Sequence, residues 1–216
     1  HSFPTRRSSD LSQAKAPVIL AGRVSRCEKG WAQRVALAEK IGARVVTDLK
    51  LGAAFPTSHA LHAGPAGMFL APEVASVLRG ADVVLSLDWL DLGGTLKQAW
   101  GDDLVTSRII QVSVDHHIHN GWSMDHQSLP PADCFIACEP EVAVSALLDA
   151  LGSHVHNRTL ISKAALKIPD DVPDHGMLRV ADLAAVLREA TRGEKVSLLR
   201  LPLSWSGDHW DFEHPL

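Results

Sequence analysis

The stretch PVILAGRVSR, residues 17–26, constrains the fold of this chain more than any other. Val18, Ile19, Leu20 and Ala21 form a short apolar run. It stops at Gly22 and passes through a polar turn into a helical pattern that begins near Glu28. A buried strand that breaks at a glycine and feeds a helix opens a βαβ unit. In open sheets built from such units, ligands bind in the crevice beyond the carboxyl ends of the strands.

The same alternation continues along the chain. The first strand is expected over residues 17–21 and the first helix over 28–41, with Trp31, Val35, Ala38 and Ile41 as its apolar stripe and Gly42 as its stop. Residues 44–47 are β-branched and read as a second strand. A long connection through residues 48–71 has no clean period, and loops of that length in a compact domain usually serve a site. Pro72 opens a short helix over 72–79, closed by Gly80. Strands follow at 82–87, 108–114 and 134–137, with helices at 95–100 and 140–151. Ala143, Val144, Leu147, Leu148 and Leu151 form the stripe of the last helix. Strands separated by helices predict an α/β fold: a Rossmann-like parallel β-sheet with helices on both faces.

The two ends of the chain break this pattern. Residues 1–11, HSFPTRRSSDL, have no periodicity and resemble the translation of a common sequencing adapter. They are expected to be an assembly scar outside the fold, which makes the chain an internal fragment. The alternative is a natural flexible tail. Residues 12–152 are read as one domain. Residues 153–176 mix charges and prolines and read as a linker. Residues 177–216 read as the truncated start of a second α/β domain, with a helix over 178–191 (stripe Val180, Leu183, Leu187, Ala190) and a strand over 196–201. One helix and one strand cannot bury a core, so Trp205 and Trp210 are expected to pack against something beyond this chain.

Composition excludes several classes. Lys plus Arg number 21 and Asp plus Glu 25, giving a formal net charge of -4 with no basic stripe. Nothing therefore favours nucleic acid or an anionic membrane as a partner. No apolar run reaches the ~18 residues that cross a bilayer. The three cysteines, Cys27, Cys134 and Cys138, are few and odd in number. They point to a reducing, cytoplasmic setting, with Cys134 and Cys138 as small core residues.

The chemistry-bearing residues are sparse. The loop after the first strand has one glycine rather than the three of GxGxxG, so a dinucleotide fingerprint is absent. Arg23 and Arg26 are placed to reach phosphate oxygens at a helix N-terminus, or else are solvated. His116, His117, His119 and His126 lie near Asp115, but adjacent loop histidines rarely converge on one ion, and no metal site is assigned. His154 and His156 are weaker candidates. No GxSxG, HExxH or GxxxxGK[ST] motif occurs, and Ser86 and Ser113 are expected to be buried strand residues. No catalytic residue is assigned.

Residues PVILAGRVSR, WAQRVALAEKIGARVVTDLKLGAAFP, HAGPAG, GADVVLSLDW and RIIQVSVD together resemble the central domain of thiamine-diphosphate-dependent enzymes, the group that includes acetolactate synthase. The resemblance covers residues 16–151. VADLAAVLREATRGEKVSLLRLPLSW looks like the entry to that family's C-terminal, diphosphate-binding domain.

The resemblance implies a homo-oligomeric parent (dimer or tetramer) that uses thiamine diphosphate and Mg²⁺ on a small 2-keto acid, by decarboxylation or carboligation. The groups that hold those cofactors lie outside this chain. In the central domain of some family members FAD or an adenine nucleotide binds, and in others the domain is a structural brace. Carried over by position, the nucleotide-contact candidates are Gly22, Arg23, Thr47, Gly64, Gly67 and Asp115. Two departures from the FAD-binding pattern favour a structural or degenerate site: the lone Gly22, and Cys138-Glu139 where Gly-Asp is usual. The alternatives are a free-standing FAD- or nucleotide-binding module and a purely structural assembly domain.

Overall fold

The structure is a computed structural model that describes residues 3–67, 69–115, 129–156, 176–198 and 204–215. Five strands form one parallel sheet: β1 (Val18–Ala21), β2 (Arg44–Thr47), β3 (Val83–Leu87), β4 (Arg108–Val112) and β5 (Cys134–Ile136), in the order β2-β1-β3-β4-β5. The helices are α1 (Phe3–Gln13), α2 (Glu28–Ile41), α3 (Pro72–Arg79), α4 (Leu92–Trp100), α5 (Pro140–Leu151) and α6 (Val180–Ala190). This is the expected α/β fold. No helix among the described residues is long and apolar enough to cross a membrane.

The sheet is apolar on both faces because each strand alternates its side chains. Ile19 and Ala21 join Leu85, Leu87, Ile110 and Val112 beneath α1, α2 and α5, while Val18, Leu20, Val84 and Ile109 face α3 and α4. Helix ends obey local chemistry. Cys27 caps α2 with its sulfur, Gly42 ends that helix at φ 65, and prolines open α3 and α5.

Several expectations change. Residues 3–13 form α1, where the sequence shows no clear period. Ser8, Leu11 and Ala14 are buried at a spacing of three, and Asp10 pairs with Arg108 at 3.2 Å. The buried face of α2 is Gly30, Arg34, Leu37, Ala38 and Ile41, leaving Trp31 only half-buried. That face is rotated because Arg34 reaches inward to carbonyl and carboxylate partners. Cys134 and Cys138 sit at the rim of the core, half-buried, and Cys27 is exposed. The 48–71 connection contains a 3₁₀ segment, Leu49–Ala54.

The last segment differs most. α6 rests on Ala184 and Ala185, so Leu183 and Leu187 of the expected stripe face outward. Trp205 and Trp210 are buried within this chain, against Ala184, Leu49, Val180, Val196, Leu198 and Phe212. Residues 196–198 form no strand, since a strand needs a partner to pair with, and the rest of 196–201 lies outside the described residues.

Leu11→Ala removes a fully buried side chain of α1. It is expected to lower unfolding free energy by about 2–3 kcal/mol, read as a shifted urea midpoint at constant m. A flexible tail would leave the midpoint unchanged.

Candidate functional site

The chain leaves β1 for α2 on one face of the sheet and leaves β3 for α4 on the other. The carboxyl ends of β1 and β3 are therefore the switch point where a crevice is expected. Here the crevice is closed by backbone. Gly22 N–H donates to Leu87 O at 3.0 Å, and Arg23 N–H donates to Asp88 O at 2.9 Å. A Cβ on residue 22 would lie 2.3 Å from Asp88 O and 2.5 Å from Trp89 Cα. Only glycine tolerates that approach. Asp88 itself has φ 55, a left-handed conformation that Asp adopts more readily than most residues.

The side chains at this point form a charged network. Asp88 is buried and accepts from the Ser113 hydroxyl at 2.6 Å and from Arg23 Nη2 at 2.9 Å. Arg23 also bridges to the Asp115 carboxylate, and Asp115 N–H donates to Ser113 Oγ at 3.0 Å. Burial works against the Arg23 charge, but its hydrogen bonds and ion pairs with Asp115 and Asp88 outweigh it and raise its pKa. One arginine against two carboxylates is no invitation to a phosphate.

The amides of the next turn are also taken. Ser25 N–H donates to Glu141 Oε1 at 2.6 Å, and Gly30 N–H donates to Cys27 Sγ at 3.3 Å. The Ser25 hydroxyl and the Gly30 N–H at the sulfur lower the Cys27 thiol pKa. Arg34, nearly fully buried, donates to Ala54 O at 2.9 Å, to Ser25 O at 3.0 Å and to Glu141 Oε1 at 3.2 Å. Burial lowers its pKa and the Glu141 charge acts in the opposite direction. Glu141 of α5 thus stands at the N-terminus of α2, where a ligand phosphate would otherwise lie. Arg26 points elsewhere, to Pro215 O at 3.2 Å and Ser197 Oγ at 3.3 Å.

The six positions carried over by resemblance fall into separate places. Gly22, Arg23 and Asp115 meet at the switch point. Thr47 and Gly67 line a cleft of about 160 Å³ beside it, with Lys50, Phe69, Trp89 and Gln98. The Thr47 hydroxyl is engaged with His62 Nε2 at 3.0 Å, both buried. Gly64 packs against Val74, where a Cβ would lie 2.8 Å from Cγ2. The cleft has about half the volume of the smallest ordinary ligand pockets, ~300 Å³.

Asp88, Glu141 and Arg34 are the residues that sequence reasoning missed. Asp88 follows a strand end directly and Glu141 sits in a first helical turn, but neither spacing names a partner. His116, His117, His119 and His126 lie outside the described residues. Among the described residues no three His, Cys, Asp or Glu side chains are placed to hold a metal.

The family described as thiamine pyrophosphate enzyme, central domain, matches residues 9–124, more than half of the chain. Among curated proteins, sulfoacetaldehyde acetyltransferase of Castellaniella defragrans is 39% identical over 107 residues, covering 49% of this chain and 18% of that protein. The same-named protein of Rhodobacter capsulatus is 40% identical over 82 residues, covering 38% and 14%. The chain therefore spans less than a fifth of the length of these relatives. Among solved structures, benzoylformate decarboxylase from Polynucleobacter necessarius aligns at TM-score 0.62 and 17% identity, covering 89% of this chain and 34% of that one. A thiamine diphosphate-dependent 4-hydroxybenzoylformate decarboxylase from Rhodococcus jostii RHA1 aligns at TM-score 0.58 and 19% identity, covering 89% and 36%. At those identities the likeness is one of fold.

Asp88→Ala strips Arg23 and the Ser113 hydroxyl of a buried acceptor and is expected to cost about 2–3 kcal/mol. Asp88→Asn keeps an acceptor and the left-handed preference, so its loss should be smaller. Denaturation midpoints of the two variants check the order.

Proposed function

The chain belongs to the thiamine pyrophosphate enzymes, within their central domain, and from that premise we propose that it serves as a structural brace and holds no nucleotide of its own. One observation carries this reading: the groups that would receive a diphosphate at the switch point are already bound to the protein. Gly22, Arg23 and Ser25 amides have internal acceptors, and the Glu141 carboxylate stands at the head of α2. An anion entering there would have to displace Glu141 and meet Asp88 and Asp115. FAD does not fit this arrangement, nor does the small cleft offer the room.

For the parent enzyme we propose thiamine diphosphate and Mg²⁺ as cofactors and a small 2-keto acid as substrate, with decarboxylation or carboligation as the reaction. When bound, that cofactor supplies the electron sink for cleaving or making a carbon–carbon bond beside a carbonyl. The described residues of this chain do not fit the metal–diphosphate group, since no acidic or histidine cluster converges. No step is assigned to them. The relatives' names point to acetyl transfer involving sulfoacetaldehyde, and acetolactate synthase-like carboligation is the other form of the same group-transfer chemistry.

Within this reading residues 12–152 are the central domain, 153–176 the connection and 177–216 the start of the diphosphate-binding domain. The parent is a cytoplasmic homo-oligomer. Three free cysteines agree with a reducing compartment.

The test is ligand binding by the purified chain. It is expected to show no visible flavin absorbance, and titration with ADP or FAD should give no saturable heat. A flavin band, or stoichiometric ADP binding abolished by Arg23→Ala, overturns the brace reading.

A further inference from the structure

Residues 204–215 lie across the 48–71 connection and hold it at two points. At the first, Gly207 N–H donates to Ala66 O at 2.7 Å. A Cβ on Gly207 would lie 2.4 Å from Ala66 N, 2.8 Å from Ala66 O and 3.1 Å from Pro65 C. Those are backbone atoms, so any larger residue must push the two chains apart. At the second, Thr57 is buried and makes three bonds to residues 211 and 212. Its N–H donates to Phe212 O at 3.0 Å, and its hydroxyl accepts from Phe212 N–H at 2.8 Å and donates to Asp211 Oδ1 at 3.2 Å. Leu49, the first residue of the 3₁₀ segment, packs against the cluster that Trp205 and Trp210 form with Ala184.

One of the gripped residues, Ala66, itself lines the cleft. Its neighbours Pro65 and Gly67 line the cleft too, as do Asp48 and Lys50, which flank Leu49. We propose that residues 204–215 are a strap that sets the position of the cleft lining at Asp48, Lys50 and residues 65–67, with Gly207 and Thr57 as positioning residues. This role is independent of what the parent enzyme catalyses.

Backbone amide exchange on the full chain tests the strap. Two amides bracket residues 65–67 on either side: Ala63 N–H, bonded to Val45 O at 2.7 Å, and Leu70 N–H, bonded to Gln98 Oε1 at 2.9 Å. Gly207→Val and Thr57→Val are each expected to speed exchange at both by about tenfold, with β1, β3 and β4 unchanged. Thr57→Ser keeps the hydroxyl and should exchange like the parent chain, which preserves the test if Gly207→Val does not fold. Faster exchange confined to residues 204–215, or shared equally by the central strands, overturns the strap.

Discussion

The contact on which the rest depends is the approach of two backbones where β1 and β3 end. Gly22 N–H and Arg23 N–H extend the parallel ladder past the last paired side chains, onto Leu87 O and Asp88 O. That extension requires a residue without Cβ on one side and a left-handed aspartate on the other. Because α2 and α4 depart to opposite faces at this point, the hydrogen bonds that close the crevice also set where both helices begin. The β1–β3 pair thus carries two core layers at once.

Closing the crevice changes the electrostatics of the switch point. In an open site, helix dipole and free amides attract an anion. Here the protein supplies its own. Asp88 and Asp115 neutralise Arg23, and Glu141 satisfies both the Ser25 amide and the buried Arg34. Arg34 in turn ties α2 to the loop before it and to Ala54 at the end of the 3₁₀ segment. The carboxylates act as internal ligands, and the geometry that would recruit a cofactor in a related domain instead binds one element to the next. This is the physical basis of the proposed brace.

Much of the fold was legible because period and punctuation are local. The runs at 18–21, 44–47 and 83–87 are apolar and β-branched beyond any helical period, and Gly42, Pro72 and Pro140 mark helix ends at their own positions. Residues 3–13 were not legible. Their only signal is Ser8, Leu11 and Ala14 at a spacing of three, which is too short to distinguish a packed helix from a polar tail. The α6 stripe misled for a different reason. Leu183 and Leu187 mark an amphipathic helix, but nothing in a helical period says which neighbour is within reach, and the small Ala184–Ala185 face packed instead. The site was half legible. Gly22, Arg23 and Asp115 are legible by resemblance, but Asp88, the buried acceptor 65 residues from Arg23, is not.

The sequence by itself determined the parallel α/β architecture, the order of its elements and the lack of a dinucleotide fingerprint, because those follow from local periods and from residue types at one turn. Tertiary structure alone decided whether the loop after β1 is open or filled, and whether residues 204–215 stand apart from the sheet or strap its long connection. Both depend on which distant carboxylates, amides and glycines meet. Chain topology sets those meetings, and no local pattern records them.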